Sequence, residues 1–209
     1  MAERKIAPVK DNDDKARTYK ENMKKYNRAI KSGCYFEAIL IAYAMMEDRL
    51  RSYLFYLGCL RSRSSHKFDN KKISADIKDI IATYAVDDVC NLGITSITGK
   101  IRIVKSIQKW FKQGYPNPQE SDYLEELASC IDMNGDPDEM LTILAAIEEW
   151  FKYRNEVIHS LLNKNLDSLY TELPQKAEEG LGLARAIDKH VGRIKRRNTL
   201  RKYLKLKES

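Results

Sequence analysis

What the sequence lacks narrows its reading first. No run approaches the roughly eighteen consecutive apolar residues of a membrane span. The opening stretch, Met1 to Pro8, has no apolar core of a secretion signal. Cys34, Cys59, Cys90 and Cys130 fall in four separate segments with no CxxC spacing, which argues against zinc and redox motifs. The expectation is four buried thiols in a reducing cytoplasm. Glycine-rich phosphate loops are absent. The adjacent acids Asp87-Asp88 and Glu148-Glu149 point in different directions on a helix, and no His-rich cluster has ligand spacing, so neither a metal nor another cofactor is expected. No segment alternates apolar and polar residues with period two, and no internal repeat is present.

What is there reads as helix. Of the 209 residues, 43% are apolar, enough for one sizeable core. Residues 1–12 are polar and expected to be disordered. Asp13 to Lys31 carries a thin apolar stripe of Tyr19, Met23, Tyr26 and Ile30, ended by Ser32-Gly33. Cys34 to Leu57 has a wide apolar face, closed by Gly58. A basic, serine-rich loop follows, Arg61 to Asn70, with no fixed geometry expected and RNA contact as one reading of its charge. Further helices are predicted over Ser74–Tyr84 with Ser74 as N-cap, Thr98–Phe111, Ser121–Ile131, from Pro137 onward, and from Pro174 to the basic end. The class is all-α. The faces of Cys34–Leu57 and Pro137–Asn163, the two longest, are expected to pack antiparallel. Residues 13–165 form the bundle in this reading, and 166–209 a helical, basic extension.

The net charge of +7 is uneven: Lys189 to Ser209 holds nine Lys or Arg and one Glu, leaving the other 188 residues at −1. A neutral body with a basic end points to a polyanion. Arg193, Lys195, Arg196, Arg197, Arg201 and Lys202 are the expected phosphate contacts.

Each of the three histidines lies five residues after an arginine: Arg61/His66, Arg154/His159 and Arg185/His190. Context separates them. The first pair is in the serine-rich loop, and the third feeds the basic end as part of a phosphate-attracting face. Only Arg154/His159 is flanked on both sides by large apolar residues, Trp150, Phe151, Val157, Ile158, Leu161 and Leu162, the rigid support a catalytic group needs. Residues five apart on a helix differ by about 140° in direction, so one helix makes a splayed pair. A two-fold axis between two copies could bring two such pairs into one cleft. The plainer alternative pairs Arg154 with Glu47, Glu149 or another carboxylate and makes His159 an ordinary helix histidine.

The string Arg154-Asn155-x-x-x-His159, late in an apolar helix, resembles the signature of HEPN domains, a family of small α-helical RNases and RNA-binding modules. Ala42 to Leu50, with Glu47 as an inward acid, looks like the family's earlier long helix; the resemblance covers roughly residues 33–162. It implies an antiparallel HEPN-type bundle, a homodimer and a metal-independent endoribonuclease. His159 would move protons, Arg154 would stabilise the phosphate, Asn155 would orient, and Glu47 would support. It also implies a toxin–antitoxin or antiviral defence setting with an antitoxin or defence-protein partner. In HEPN toxins paired with a nucleotidyltransferase, a tyrosine stands two residues after the histidine. Leu161 holds that place here, which sets modified-tyrosine control aside. Competing readings are a non-catalytic helical module for RNA or protein, and a dimerising subunit of a defence complex.

Overall fold

The computed structural model describes residues 12–85, 94–114, 121–160, 167–197 and 199–206. The expected N-terminal disorder and Cys90 lie outside them. Eight helices occupy the described residues: α1 (Asn12–Lys31), α2 (Tyr35–Tyr56), α3 (Lys71–Tyr84), α4 (Ile97–Lys112), α5 (Asp122–Asn134), α6 (Pro137–Ser160), α7 (Asp167–Arg197) and α8 (Thr199–Tyr203). The only extended pairing among them is an isolated bridge, Leu60 to Phe68. The all-α class is therefore observed.

Capping chemistry sets several boundaries. The α3 helix starts earlier than Ser74 because Asn70 offers its side-chain oxygen to the Ile73 N–H at 2.9 Å. Ser96 does the same for Gly99 at the start of α4, at 3.0 Å. Pro174 does not open the last helix. It sits inside α7, which begins at Asp167. A proline costs the ladder one donor but has a helix-compatible φ. Leu173 and Ala177, buried on either side of it, hold that turn against the core.

The bundle's directions follow from its cross-contacts. Arg49 meets Asp188 at 2.8 Å, and the Ala42 methyl borders Gly180, so α2 and α7 run parallel. Glu47 meets Lys100 and Tyr53 meets Gln108, so α4 runs the same way. Lys105–Glu148 and Lys112–Asp138 set α6 antiparallel to α4. Glu139–Lys189 and Trp150–Lys176 set it antiparallel to α7. The α1 helix returns along α2 and α7, its Tyr26 hydroxyl donating to the Ala177 carbonyl at 2.9 Å. The expected α2–α6 pair thus has the right sense, but the close backbone neighbour of α2 is α7, and α6 reaches α2 through side chains.

This corrects the reading of residues 166–209 as an extension. Leu173, Ala177, Leu181, Ala184, Ile187, Val191, Ile194 and Leu200 belong to the same buried cluster as Ile39, Leu50 and Leu54 of α2. Close approach is built into the α6–α7 contact. The Trp150 indole is buried, donates to the Lys176 carbonyl at 2.7 Å, and lies so near Gly180 that a Cβ there would come within 2.6 Å of it.

The loop after α2 is held rather than loose. Asp69 N–H donates to the Cys59 carbonyl at 3.0 Å and Arg61 N–H to that of Lys67 at 3.2 Å, closing a β-like neck. Arg63 donates to the Tyr56 hydroxyl and lies against the rings of Phe55 and Tyr56. Cys59 and Cys130 are buried, and burial pushes their thiols up to about 12 and about 11. Cys34 departs from the expectation: it is exposed, because it sits at the turn that starts α2.

Candidate functional site

Residues Trp150 to His159 form the last turns of α6. Ile147, Trp150 and Val157 face the core, and this fixes where the intervening positions point. Arg154, half-buried, lies on an aromatic ledge. Its guanidinium carbon is 4.5 Å from the Tyr43 ring centroid and 5.8 Å from that of Phe151. The two rings stack at 5.7 Å with a 20° tilt. Nη1 donates to Asn155 Oδ1 at 2.9 Å, while the buried Nε has no partner among the described residues.

No described carboxylate pairs with this guanidinium. Glu47 accepts instead from the Lys100 Nζ at 3.0 Å, and Glu149 from that of Lys152 at 2.7 Å. Lys100 is fully buried and also donates to the carbonyls of Thr95 and Ser96. A buried ammonium needs that full set of acceptors, which ties Glu47 in place. The Tyr43 hydroxyl is pushed above its ordinary range, first by burial and then by the Glu47 charge, with Arg154 opposing. Tyr43 therefore stands between the acid and the cation. An uncompensated, stacked guanidinium is suited to binding a phosphate.

His159 is exposed, in the last turn of α6, with no hydrogen bond or ion pair to a described residue. It makes no hydrogen bond to Arg154. The chain brings Arg154 and Asn155 together, places Glu47 one aromatic ring away, and leaves His159 facing outward.

The other two Arg/His pairs have different fates. Arg61 and His66 are both exposed on the closed loop. His190 is 1% exposed, so it is no part of a phosphate-attracting face. It lies 3.2 Å from Glu139, and burial holds its pKa below the ordinary value, against the pull of that carboxylate.

The expected phosphate contacts also divide. Lys195, Arg196 and Lys202 are exposed. Arg193 is paired with Glu139 at 3.2 Å. The side chain of Arg197 lies outside the described ones. Arg201 corrects the expectation outright. It is 0% exposed, donates to the carbonyls of Phe55 and Leu60 at 3.1 and 3.0 Å, pairs with Asp69 at 3.2 Å, and sits 4.0 Å over the Phe55 ring. It is a structural clasp between α8 and the loop after α2.

Sequence reasoning named Phe151 only as apolar support, and missed Tyr43 and Lys100 as parts of the site. The signals were present. Phe151 precedes Arg154 by three residues and Tyr43 precedes Glu47 by four, spacings that make helix neighbours. Lys100 occupies an inward register among Ile97, Ile101 and Val104.

Comparison with known proteins gives no matching family model, no matching curated protein and no matching solved structure. No helix of the described residues is long and apolar enough to cross a membrane.

Proposed function

We propose that this chain is a metal-independent endoribonuclease of HEPN type. The observation that carries the reading is Arg154: a half-buried guanidinium, immobilised on Tyr43 and Phe151, hydrogen-bonded to Asn155 and paired with no described carboxylate. Holding an unneutralised cation in place has a cost in stability, and a phosphodiester is a ligand that would use it.

RNA brings its own nucleophile, the ribose 2′-hydroxyl. A neutral His159 would take its proton, and an imidazolium would protonate the departing 5′ oxygen. Arg154 would stabilise the added charge on the phosphate, with Asn155 fixing the guanidinium. The bond that breaks is P–O5′, the bond that forms is P–O2′, and the products end in 2′,3′-cyclic phosphate and 5′-hydroxyl.

His159 and Arg154 diverge on one helix, so the working site in this reading is shared by two copies about a two-fold axis. A toxin or antiviral defence role, an antitoxin or defence-protein partner and a cytoplasmic location belong to the same proposal. Exposed Lys195, Arg196 and Lys202 favour a second reading, a helical module that binds RNA without cutting it.

Purified protein should cut single-stranded RNA in EDTA and leave the DNA equivalent intact. His159→Ala and Arg154→Ala should each lower single-turnover cleavage by at least about 10²-fold. His66→Ala should retain full activity. Retained activity in a strictly monomeric sample counts against the shared site. Absence of any cleavage leaves the binding module.

A further inference from the structure

A concave feature lies at the far end of α6 from Arg154. Met133, Asn134 and Gly135, at the α5–α6 turn, face Arg193 and Arg196 of α7 across a cleft of about 460 Å³. That volume is in the range of small-ligand sites. Glu139, beside the cleft, and Arg154 are fifteen residues apart on α6, about 22 Å along its axis. The cleft is thus separate from the aromatic ledge, and a ligand bound in it does not depend on whether the chain cuts RNA.

Each wall has a distinct chemistry. Arg193 and Arg196 are three residues apart and share a helix face. Arg193 gives Nη1 to Glu139, but that one carboxylate is also approached by Lys189 at 3.1 Å and His190 at 3.2 Å. Arg196 is exposed, its Nε anchored on the Gly192 carbonyl at 3.2 Å, which orients the guanidinium. Asp136 accepts the Glu139 N–H at 2.9 Å at the start of α6. Glu139 is one carboxylate shared by Lys189, Arg193 and His190, while Arg196 pairs with no carboxylate of the described residues.

On the opposite wall, Asn134 donates Nδ2 to the Cys130 carbonyl at 2.9 Å, which leaves its side-chain oxygen as the acceptor it can offer a ligand. Gly135 lines the floor, and a Cβ there would lie 2.6 Å from the Ile131 carbonyl oxygen, so the turn out of α5 requires glycine. Met133 is 47% exposed, an apolar rim beside a basic wall. Two guanidiniums, an amide acceptor and an exposed thioether side chain match a phosphate carrying a flat, hydrogen-bonding base.

We infer that this cleft binds the phosphate of a nucleotide between Arg193 and Arg196, with the base against Met133 and Asn134. The nucleotide is either free or part of a strand, and the two sources separate by experiment. Backbone amide shifts of the full chain are followed by NMR during titration with inorganic phosphate, AMP and a five-nucleotide RNA. The expected result is saturable shifts at Asn134 and Gly135 with AMP or the RNA, with Kd near or below about 1 mM. Saturation by the RNA alone identifies a strand; saturation by AMP alone identifies a free nucleotide. Arg196→Gln should weaken binding about tenfold with an unchanged thermal melt, because its side chain is exposed. His159→Ala should titrate like the unaltered chain, which keeps this test apart from the nuclease question. No shift at Gly135 up to about 10 mM, or identical titrations in the Arg193→Gln/Arg196→Gln double variant, overturns the site. Inorganic phosphate binding as tightly as AMP overturns the base contact.

Discussion

Arg201 and Arg154 are both guanidiniums laid on aromatic rings, and they do opposite things. At Arg201 the ring is Phe55, 4.0 Å away, and both Nη groups are spent, Nη1 on two backbone carbonyls and Nη2 on Asp69. At Arg154 the ring is Tyr43, 4.5 Å away, and Glu47 and Glu149, the acids expected to pair with it, are committed to lysines. Stacking is common to both; neutralisation is not. An arginine whose protein partners satisfy it supports the fold, whereas one that is held but not neutralised is open to an outside anion.

The largest expected effect breaks the first half of that contrast. Arg201→Ala leaves the largely buried Asp69 carboxylate without its cation and the Leu60 carbonyl without its Arg201 donor, and should cost about 3–5 kcal/mol of unfolding free energy in urea melts. Arg154→Ala should cost less than about 1 kcal/mol in the same melts while lowering RNA cleavage at least about 10²-fold, near 2.7 kcal/mol of transition-state stabilisation. Equal stability losses at the two positions would erase the distinction.

A smaller effect concerns salt. Replacing Lys195, Arg196 and Lys202 together by Gln should reduce the slope of log affinity for single-stranded RNA against log salt by about 2, since each phosphate contact contributes about 0.7. Truncation is a poor substitute, because Val191, Ile194 and Leu200 would leave the core with the charges.

The smallest is the pH dependence of His190. Its folded pKa lies below the unfolded value near 6.5, so the unfolded chain binds the proton first. The neutral ring's contribution is complete above that value and is lost as pH falls below it. His190→Gln should flatten this part of the stability–pH curve in thermal melts recorded between pH 7.5 and about 5.

Helix periodicity made the all-α class legible, and flanking apolar residues placed Arg154 and His159 on one rigid helix. Two kinds of fact were hidden. Charge in the chain's last residues read as a basic extension for phosphate contact because lysines and arginines are interleaved there with Val191, Ile194 and Leu200; only the partner face of α2 shows that this stripe is core. Arg201 carries the same letter as its exposed neighbours, and its burial depends on carbonyls some 140 residues away. The ledge under Arg154 was half-visible: Phe151 follows from spacing on the same helix, whereas Tyr43 is tied by spacing only to Glu47, and its place beside Arg154 depends on the packing of α2 against α6.

The parallel pairing of α2 with α7 also has a consequence for the order in which the chain can fold. Arg49 and Asp188 are 139 positions apart, Tyr26 and Ala177 151, and Phe55 and Arg201 146. During synthesis, the apolar face of α2 emerges early and then waits for most of the chain before its main partner exists. Nascent chains halted before Asp167 should expose that face to chaperones and proteases, and protection should appear only once α7 has been added.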